Sequence, residues 1–334
     1  MKGTDRPLRA AVIGLGTMGR HHVRVWDELT GVELVGVADP RPQAVELARE
    51  GRAARGYADA VAMLAAESPD VVSVAAPTSL HHPLTLAALR AGAHVLVEKP
   101  IAADRAEAEE MMQVAAGCSR LLSVGHIERF NPAIVELRRR LAAGELGRIF
   151  QVSAERLGPF PERIRDVGVV VDLAPHDLDV MRFLLGSDPV RVYAETEQRI
   201  HTDHEDLFVG VLKFANGAVG RLDINWLTPT KQRRLTVTGQ GGMYVADYIA
   251  QELVFHANPS EGSVRAGPAE PREIQRREPL LVELEAFADA VRSGGPPPVD
   301  PREALVALQL ARAMVEAANT GTALSGAALQ TVLG

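Results

Sequence analysis

The sequence predicts an α/β protein with an N-terminal doubly wound parallel sheet and a C-terminal α+β domain that carries a large, mostly antiparallel open sheet. Its 334 residues, 46% hydrophobic and 24% charged, suit a globular chain of two domains that each bury a core. Short β-branched runs alternate with Ala/Leu-rich stretches over the first 125 residues, and longer alternating segments with glycine turns follow. We therefore place the domains at 1–126 and 127–334.

The first domain is predicted to alternate strands with helices. Its strands are predicted at 10–13, 33–38, 71–75, 94–97 and 121–124. Its helices are predicted at 17–29, 43–50, 80–91 and 104–116. Strands that are apolar on both faces need cover on both sides, so the helices between them indicate a parallel sheet with helices on each face.

The second domain is predicted to open with a helix over 132–143, with Asn131 as its N-cap and Pro132 at its first helical position. Further helices are predicted at 173–185, 281–292 and 302–318. The segments between them contain Asn216-Gly217 and Gly241-Gly242, which are typical of hairpin turns. Successive hairpins indicate an antiparallel sheet. Because such sheets often pair between subunits, we expect a homodimer or homotetramer through it.

Charge and composition bear on the class of partner and on the compartment. A net charge of −7 and 4% aromatic residues argue against nucleic acid as a partner. Cys118 is the single cysteine, so no intrachain disulfide is expected, and a reducing compartment such as the cytoplasm is indicated. No run of about 18 apolar residues predicts a membrane span, and no metal site is predicted.

A glycine pattern follows the first predicted strand, in the order Gly14, Gly16 and Gly19. Such glycines permit a tight turn, close approach of the backbone to a pyrophosphate, and packing of the helix on the sheet. Asp39 ends the second strand, where a carboxylate binds ribose hydroxyls and repels a 2′-phosphate. We therefore predict a Rossmann dinucleotide site that prefers NAD to NADP. Arg41 either softens that preference or is a solvent-exposed arginine. The predicted contacts near the phosphates and ribose are Gly14, Gly16, Thr17, Met18, Gly19, Asp39 and Arg41.

An acid, a lysine and a proline follow the strand predicted at 94–97. The carboxyl ends of parallel strands line the ligand crevice, so Glu98 and Lys99 are predicted to stand where nicotinamide and substrate meet. A lysine beside a cationic ring loses its proton more readily, which suits it to proton transfer. Pro100 is expected to hold this turn, through a cis bond. The alternative is a surface ion pair between Lys99 and Glu98.

Four stretches, GLGTMG, ADP, PTSLHHPLTLAALRAGAHVLVEKP and DVGVVVDLAPHDLDVM, together resemble the glucose-fructose oxidoreductase / inositol dehydrogenase / MocA (Gfo/Idh/MocA) family. The resemblance covers essentially the whole chain. It implies a catalytic set of Lys99, Asp172 and His176, in which His176 deprotonates a sugar hydroxyl, Lys99 polarises or relays, and Asp172 orients. Helical spacing agrees, since residues four apart share a helix face.

The resemblance also implies contacts around the nicotinamide. Pro77, Thr78 and His81 are expected there, although His81 also suits the first turn of a helix. Two departures from the family pattern are Ala174 and Pro175, and we expect the proline to distort the first turn of the catalytic helix. Neither departure removes a proton-transfer group.

Two further stretches, VGHIERFNP and RLGPFPERIRDVGVVVDLAPHDLD, resemble a subgroup described as UDP-N-acetylglucosamine 3-dehydrogenases. Independently, arginine guanidinium groups suit a diphosphate, although ordinary solvated arginines are an equal alternative. The predicted substrate contacts are Lys99, Glu128, Arg129, Asn131, Arg156, Arg163, Arg165, Asp172 and His176. For Asn131 the helix cap is a sufficient role. His21 and His22 are predicted to lie on a helix surface.

These observations favour an NAD-dependent oxidoreductase that transfers a hydride from a sugar carbon to nicotinamide, with C3 of a nucleotide sugar such as UDP-N-acetylglucosamine as the leading substrate. A dehydrogenase of free sugars or inositols is the alternative within enzymes. A different class is an NAD-binding regulator without chemistry, which predicts loss of the proton-transfer groups. Lys99, Asp172 and His176 are all present, so we favour the enzyme.

Overall fold

A computed structural model describes residues 6–161, 167–200, 203–258 and 267–333. The chain divides into two compact units. The first unit comprises Met1–Ile127 and Glu278–Leu305, and the second comprises Glu128–Arg277 and Val306–Gly334. The predicted boundary at 126/127 therefore lies one residue from the observed one. The prediction that 278–305 belongs to the second domain is wrong.

The strands in chain order are β1 Leu8–Ile13, β2 Val32–Ala38, β3 Arg55–Tyr57, β4 Val71–Val74, β5 His94–Glu98, β6 Leu122–Gly125, β7 Ile149–Pro159, β8 Pro189–Glu197, β9 Leu207–Phe214, β10 Val219–Asn225, β11 Leu227–Gly239, β12 Gly242–Asp247, β13 Glu252–Ala257, β14 Ala269–Arg272 and β15 Leu324–Ser325. The α-helices in chain order are α1 Thr17–Glu28, α2 Pro42–Arg49, α3 Ala60–Glu67, α4 His81–Arg90, α5 Arg105–Gly117, α6 Pro132–Ala142, α7 Val169–Leu185, α8 Pro279–Ser293, α9 Pro301–Thr320 and α10 Gly326–Leu333.

The sheet of the first unit has the order β3-β2-β1-β4-β5-β6, and every neighbouring pair is parallel. This is the doubly wound arrangement that the sequence predicted, with its switch point between β1 and β4. All five predicted strands are confirmed to within two residues at each end. The sequence analysis missed β3, which is only three residues long, and the helix α3 that follows it.

Helix α8 completes the core of the first unit, although it follows the second unit in the chain. Its Leu284 and Phe287 are fully buried in one cluster with Trp26 of α1 and Val12 of β1. Burying an aromatic side chain of this size contributes about 2–3 kcal/mol relative to exposure. The helix therefore joins the first unit because its apolar face completes the cover of that sheet.

The sheet of the second unit has the order β14-β13-β12-β11-β7-β10-β9-β8-β15. Its strand pairs are antiparallel except for β7 with β10. Buried and accessible residues alternate along β9 and β10, so one face covers the core, and α7 packs against β7, β9 and β10. The predicted mostly antiparallel open sheet is confirmed.

Helix α7 differs in two ways from the prediction. It begins at Val169, four residues before the predicted start, and it continues through Pro175, which lies buried inside it. The predicted distortion of a first turn by Pro175 is therefore wrong, because the proline is the seventh residue of the helix. Among the helices of the described ranges, none has the length and hydrophobicity needed to cross a membrane.

Candidate active site

The glycine turn after β1 is closely packed at two of its glycines and leaves room for a ligand at Gly16. Gly14 has φ +89°, and a Cβ there would lie 2.6 Å from the backbone nitrogen of Ala76. A Cβ on Gly19 would lie 1.8 Å from the carbonyl oxygen of Gly14, so only glycine permits this close packing. At Gly16 no atom of the described residues lies within 4 Å of such a Cβ. Gly14 and Gly19 therefore serve the fold, and Gly16 leaves open space.

Helix α1 starts directly at this turn. Its N-cap is Gly16, and no side chain caps the helix, so its first backbone N–H groups are not taken by a side chain of the cap. Helix N-termini of this kind bind phosphate groups. The turn, with Thr17 and Met18 beginning the helix, therefore fits the pyrophosphate of a dinucleotide.

Asp39 lies directly after β2 and is 5% exposed. Its carboxylate accepts hydrogen bonds from the backbone N–H of Leu15 at 2.8 Å and of Arg41 at 2.9 Å. The Arg41 side chain adds two more, from Nε and Nη2, both at 2.8 Å. The Arg41 guanidinium, opposed by burial and assisted by these backbone groups, lowers the pKa of Asp39 to about 2. An anionic Asp39 fits the ribose of a dinucleotide.

Glu98 ends β5 and points into the interior of the first unit. It is 9% exposed, and its Oε1 lies 2.9 Å from Nε2 of His22. Its Oε2 accepts from the backbone N–H of Lys99 at 3.3 Å. The alternative of a surface pair with Lys99 is wrong, because Glu98 is buried, and the contact of Glu98 with the cofactor stays a prediction. The cis bond between Lys99 and Pro100 is confirmed, and Lys99 itself is partly exposed.

His22 is fully buried, which overturns its prediction as a surface residue, whereas His21 is exposed as predicted. The sequence held a signal for this, because Gly19, His22, Val23 and Trp26 recur at helical spacing and form the buried face of α1. His22 therefore lies in the interior of the first unit, where it contacts Glu98 of β5.

His81 lies at the start of α4 and is 1% exposed. Its Nδ1 lies 2.8 Å from the carbonyl oxygen of Pro100, and its Nε2 lies 2.9 Å from that of Ala76. Burial lowers the pKa of His81, against the effect of these two carbonyl groups. The residue joins the end of β4 to the segment after β5. Pro77 is exposed and Thr78 partly exposed in the short turn between them.

Asp172 and His176 both lie on α7, four residues apart and therefore on one face of the helix. Both side chains are partly exposed, whereas Ala174, Pro175 and Asp177 are buried. A carboxylate and an imidazole side by side on one accessible helix face can orient a hydroxyl group and take its proton.

Arg156 was predicted to bind substrate, but its guanidinium is bound to carboxylates of the same unit. Nε and Nη2 donate to Asp177 at 2.6 and 3.0 Å, and Nη1 donates to Glu128 at 2.9 Å. Burial lowers the pKa of Arg156, but the charges of Asp177 and Glu128 outweigh burial and raise it. Arg156 and Glu128 are thus bound to each other in the structure, and their contact with substrate stays a prediction.

Arg129 and Asn131 also have partners in the second unit. Arg129 donates to both oxygens of Asp179, at 2.7 and 2.6 Å, and both residues are buried. The side chain of Asn131 accepts from the N–H of Ala133, which confirms the N-cap, and donates to the carbonyl of Tyr248 at 2.9 Å. Burial and these bonds give both residues a structural role, and their contact with substrate stays a prediction.

Arg163 and Arg165, the remaining predicted arginines, lie outside the described residues. The structure instead places Arg233 of β11 opposite Arg156 of β7. Burial, together with the charge of Arg156, lowers the pKa of Arg233 to about 10, and the charge of Asp172 acts in the opposite direction. The sequence analysis did not single out this residue. The charge of Asp172 acts on Arg233, so this guanidinium lies near α7.

A dinucleotide-type glycine turn, an anionic acid after β2 and a lysine after β5 define the class of an NAD-binding oxidoreductase. In the described ranges, no group of three or more His, Cys, Asp or Glu residues is arranged to hold a metal ion.

Comparison with known proteins agrees with this class. The sequence model of the Gfo/Idh/MocA oxidoreductase family, described by its NAD-binding Rossmann fold, matches residues 8–126. The model of the family's C-terminal domain matches residues 134–245. The chain belongs to the Gfo/Idh/MocA family.

Two relatives and one solved structure are informative. The UDP-N-acetylglucosamine 3-dehydrogenase of Acidithiobacillus ferrooxidans is 33% identical over 294 residues, which cover 86% of this chain and 90% of the relative. The D-glucoside 3-dehydrogenase of Escherichia coli is 29% identical, and the match covers 96% of this chain and 97% of the relative. The structure of the Acidithiobacillus enzyme superposes with a TM-score of 0.84 at 30% identity, and the match covers 94% of this chain and 98% of that one.

Proposed function

We propose that the chain is an NAD-dependent dehydrogenase of a sugar CH–OH group, with C3 of a nucleotide sugar such as UDP-N-acetylglucosamine as the leading substrate. The observation that carries this proposal is the pairing of Asp172 and His176 on one partly exposed face of α7. The names of the two relatives support oxidation at position 3, and the first of them supports a UDP-sugar.

In the proposed reaction the chain's own groups handle the hydroxyl proton. His176 takes the proton from the sugar hydroxyl, and Asp172 keeps the imidazole oriented for it. Lys99 donates a hydrogen bond to the same oxygen and stabilises its developing charge. When bound, the nicotinamide supplies the chemistry of accepting the hydride from that carbon.

NAD is the proposed cofactor. Asp39 is buried and anionic at the end of β2, where its charge repels a 2′-phosphate. Arg41 is the group that would compensate a 2′-phosphate, but in the structure its side chain is bonded to Asp39. We infer that the charge of Asp39 favours ribose hydroxyls over a 2′-phosphate and that NADP binds less tightly.

A free sugar or inositol is the second candidate substrate, and one observation favours it. Arg156, one of the arginines predicted for a diphosphate, is bound to Asp177, and Arg129, a predicted substrate contact, is bound to Asp179. A nucleotide sugar would therefore depend on other cations of the second unit, among which Arg233 carries a guanidinium near Asp172.

The deciding experiment compares ligands on one protein. Thermal unfolding is measured with NAD present and with UDP-N-acetylglucosamine, N-acetylglucosamine, a D-glucoside or myo-inositol, and NADH formation is followed at 340 nm. A ligand that binds the folded state at 100 times its Kd stabilises it by about 2.7 kcal/mol, so the ranking reveals the substrate class. We expect UDP-N-acetylglucosamine to rank first and to reduce NAD.

The control for that experiment is Lys99→Met, which should lower turnover by about 10² to 10⁴ with NAD binding retained. Stabilisation by NAD without NADH formation from any of these compounds would favour the regulator. A free sugar that ranks above the UDP-sugar would favour the second candidate.

We also propose that two or more copies associate through the open sheet of the second unit. Val209 and Val211 of β9 point away from the buried face and are 38% and 47% exposed. Apolar side chains on an outward sheet face are suited to burial against a second copy. Light scattering after size-exclusion chromatography tests this, and a monomeric mass at micromolar concentration would contradict it.

A further inference from the structure

We propose that Arg233 of β11 binds an anionic group of the substrate and thereby selects charged sugars over neutral ones. The inference rests on the proposed function and names the substrate class that the second unit selects. The diphosphate of a nucleotide sugar and the carboxylate of a sugar acid share the chemistry concerned, because both offer paired negative oxygens that match the fork of a guanidinium group.

The guanidinium of Arg233 keeps most of its donors for other partners. Its Nη1 donates to the main-chain carbonyls of Leu157 at 2.6 Å and of Gln232 at 2.9 Å. In the part of the chain that the structure describes, Nε and Nη2 make no hydrogen bond, and no carboxylate forms an ion pair with this group. An arginine carries N–H donors on all three nitrogens, so one edge of the fork is left for a ligand or water.

The charges around Arg233 also favour an anion. Arg156 lies directly opposite it in the register of β7 and β11, so the two arginines share one face of the sheet. Burial and the charge of Arg156 lower the pKa of Arg233 to about 10, and the opposing charges of Asp177, Glu128 and Asp172 offset this only in part. The group is still cationic at neutral pH. Its surroundings disfavour that charge, and a bound anion would stabilise it.

A bulge in β11 lies beside Arg233. Residues 228–231 of β11 stand opposite the single residue Gly158 of β7. The entry to the bulge is held by Asn225, whose Oδ1 accepts from the backbone N–H of Thr228 at 3.0 Å and from its hydroxyl at 2.8 Å. Bulges of this kind redirect side chains and are frequent next to active sites.

The bulge places two cationic residues around a position that has no side chain. A Cβ on Gly158 would lie 3.8 Å from Nη1 of Arg233, 3.8 Å from Cα of Lys231 and 3.9 Å from its Cγ. These are ordinary contact distances, so at least a methyl-sized volume beside the guanidinium is not filled by β7. Lys231 is exposed, which leaves its ammonium group accessible to the same ligand.

A purely structural role accounts for only part of this arrangement. Arg129 and Arg156 each bind a carboxylate of the second unit through two nitrogens, and both are buried. Arg233 is only partly buried and ties β11 to β7 through Nη1 alone. The charge of Asp172 acts on the same guanidinium, so an anion bound there lies near the helix that carries the proposed base.

The experiment measures ligand affinity and not turnover. Calorimetry in the presence of NADH, which prevents oxidation, gives the Kd of UDP, of glucuronate and of N-acetylglucosamine. Arg233→Gln removes a charged donor, so at least one of the two anionic ligands should bind about 10- to 100-fold more weakly. The affinity for neutral N-acetylglucosamine should stay unchanged. Selective weakening of UDP identifies a diphosphate as the group bound, and selective weakening of glucuronate identifies a carboxylate.

Arg234→Gln is the matched control, because it removes the same charge from the exposed neighbour on the same strand. We expect it to leave all three affinities unchanged. Arg233→Lys keeps the charge but loses the fork, and it should weaken the anionic ligand by about 3- to 10-fold. This variant takes the place of Arg233→Gln should the latter fail to fold.

Unchanged affinities for both anions in the folded variant of Arg233 overturn the proposal. Equal weakening of charged and neutral ligands also overturns it, because that result indicates a distorted sheet. A native protein that binds N-acetylglucosamine and neither anion contradicts it as well. Selective loss of an anion in a protein that oxidises no sugar supports the site while the proposed function fails. Sugar oxidation with unchanged affinities does the reverse, so the two failures are distinguishable.

Discussion

Two arginine–carboxylate pairs, one in each unit, have nearly the same bond lengths and opposite surroundings. Arg41 approaches Asp39 at 2.8 Å with 63% of the arginine side chain exposed. Arg156 approaches Asp177 at 2.6 Å with 5% and 1% of the two side chains exposed. Burial, and not distance, therefore separates an arginine that a ligand can displace from one that holds a fold together.

The chain explains the difference between the pairs. Arg41 and Asp39 are two residues apart at the end of β2, and Asp39 keeps its bond from the backbone of Leu15 when the arginine moves. Arg156 and Asp177 join β7 to α7 across 21 residues, and Glu128 shares the same guanidinium. Losing Arg156 leaves two carboxylates without their cation.

The largest expected effect is that of Arg156→Met. The free energy of unfolding should fall by about 3–5 kcal/mol, because a buried carboxylate is left unpaired. Denaturation by guanidinium chloride measures it. The matched control is Arg234→Met, the exposed neighbour on β11, which should change stability by at most about 0.5 kcal/mol. A loss below about 1 kcal/mol for Arg156→Met would erase the distinction between the pairs.

Next in size is Asp39→Ala, measured as the Kd of NAD and of NADP by calorimetry. Hydrogen bonds to a charged group contribute about 1.5–3 kcal/mol, so NAD should weaken by about 10-fold or more. NADP should weaken less, because its 2′-phosphate loses a repelling charge. An equal effect on both cofactors would contradict the ribose contact.

A smaller effect is expected for Asn131→Ala in the second unit. Loss of the N-cap should lower the free energy of unfolding by about 1 kcal/mol, and the carbonyl of Tyr248 loses its donor. Asn131→Asp keeps the cap acceptor and should recover part of the loss. An altered KM for the sugar with unchanged stability would instead return Asn131 to the substrate site.

The smallest effect is that of Arg41→Ala, because exposed ion pairs contribute about 0–1 kcal/mol. The hydrogen bond from Arg41 is the largest cause that lowers the pKa of Asp39 from 3.8 to about 2. A carboxyl group whose pKa is lowered in the folded state stabilises the fold at a pH above its pKa in the unfolded chain. This contribution is lost as the pH falls through the pKa of the folded state. The difference in the free energy of unfolding between the native protein and Arg41→Ala should therefore have its full size above about pH 4 and vanish toward pH 2.

Thermal unfolding between pH 7 and pH 2 measures that window, with Arg20→Ala on the exposed face of α1 as the control. A difference that stays constant across the whole range would show that Arg41 does not act through the charge of Asp39.

Local patterns in the sequence predicted much of this molecule. The parallel sheet, the glycine turn, the cap at Asn131 and the shared helix of Asp172 and His176 all depend on neighbours within a few residues. The fates of Arg129 and His22 depend on partners 50 and 76 residues away, Asp179 and Glu98. Side-chain pairing at that separation leaves no periodic pattern in the sequence, so His22 was wrongly predicted to lie on the surface and the partner of Arg129 was not predicted.

The return of α8 to the first unit has a consequence for synthesis on the ribosome. The N-terminal sheet emerges first, yet Leu284 and Phe287 of its core are translated only after all of β7 to β14. Part of the apolar surface of the nascent N-terminal unit therefore stays uncovered until more than 280 residues have been made. Any attempt to express that unit as an independent fragment requires the segment 278–305 to be spliced onto it.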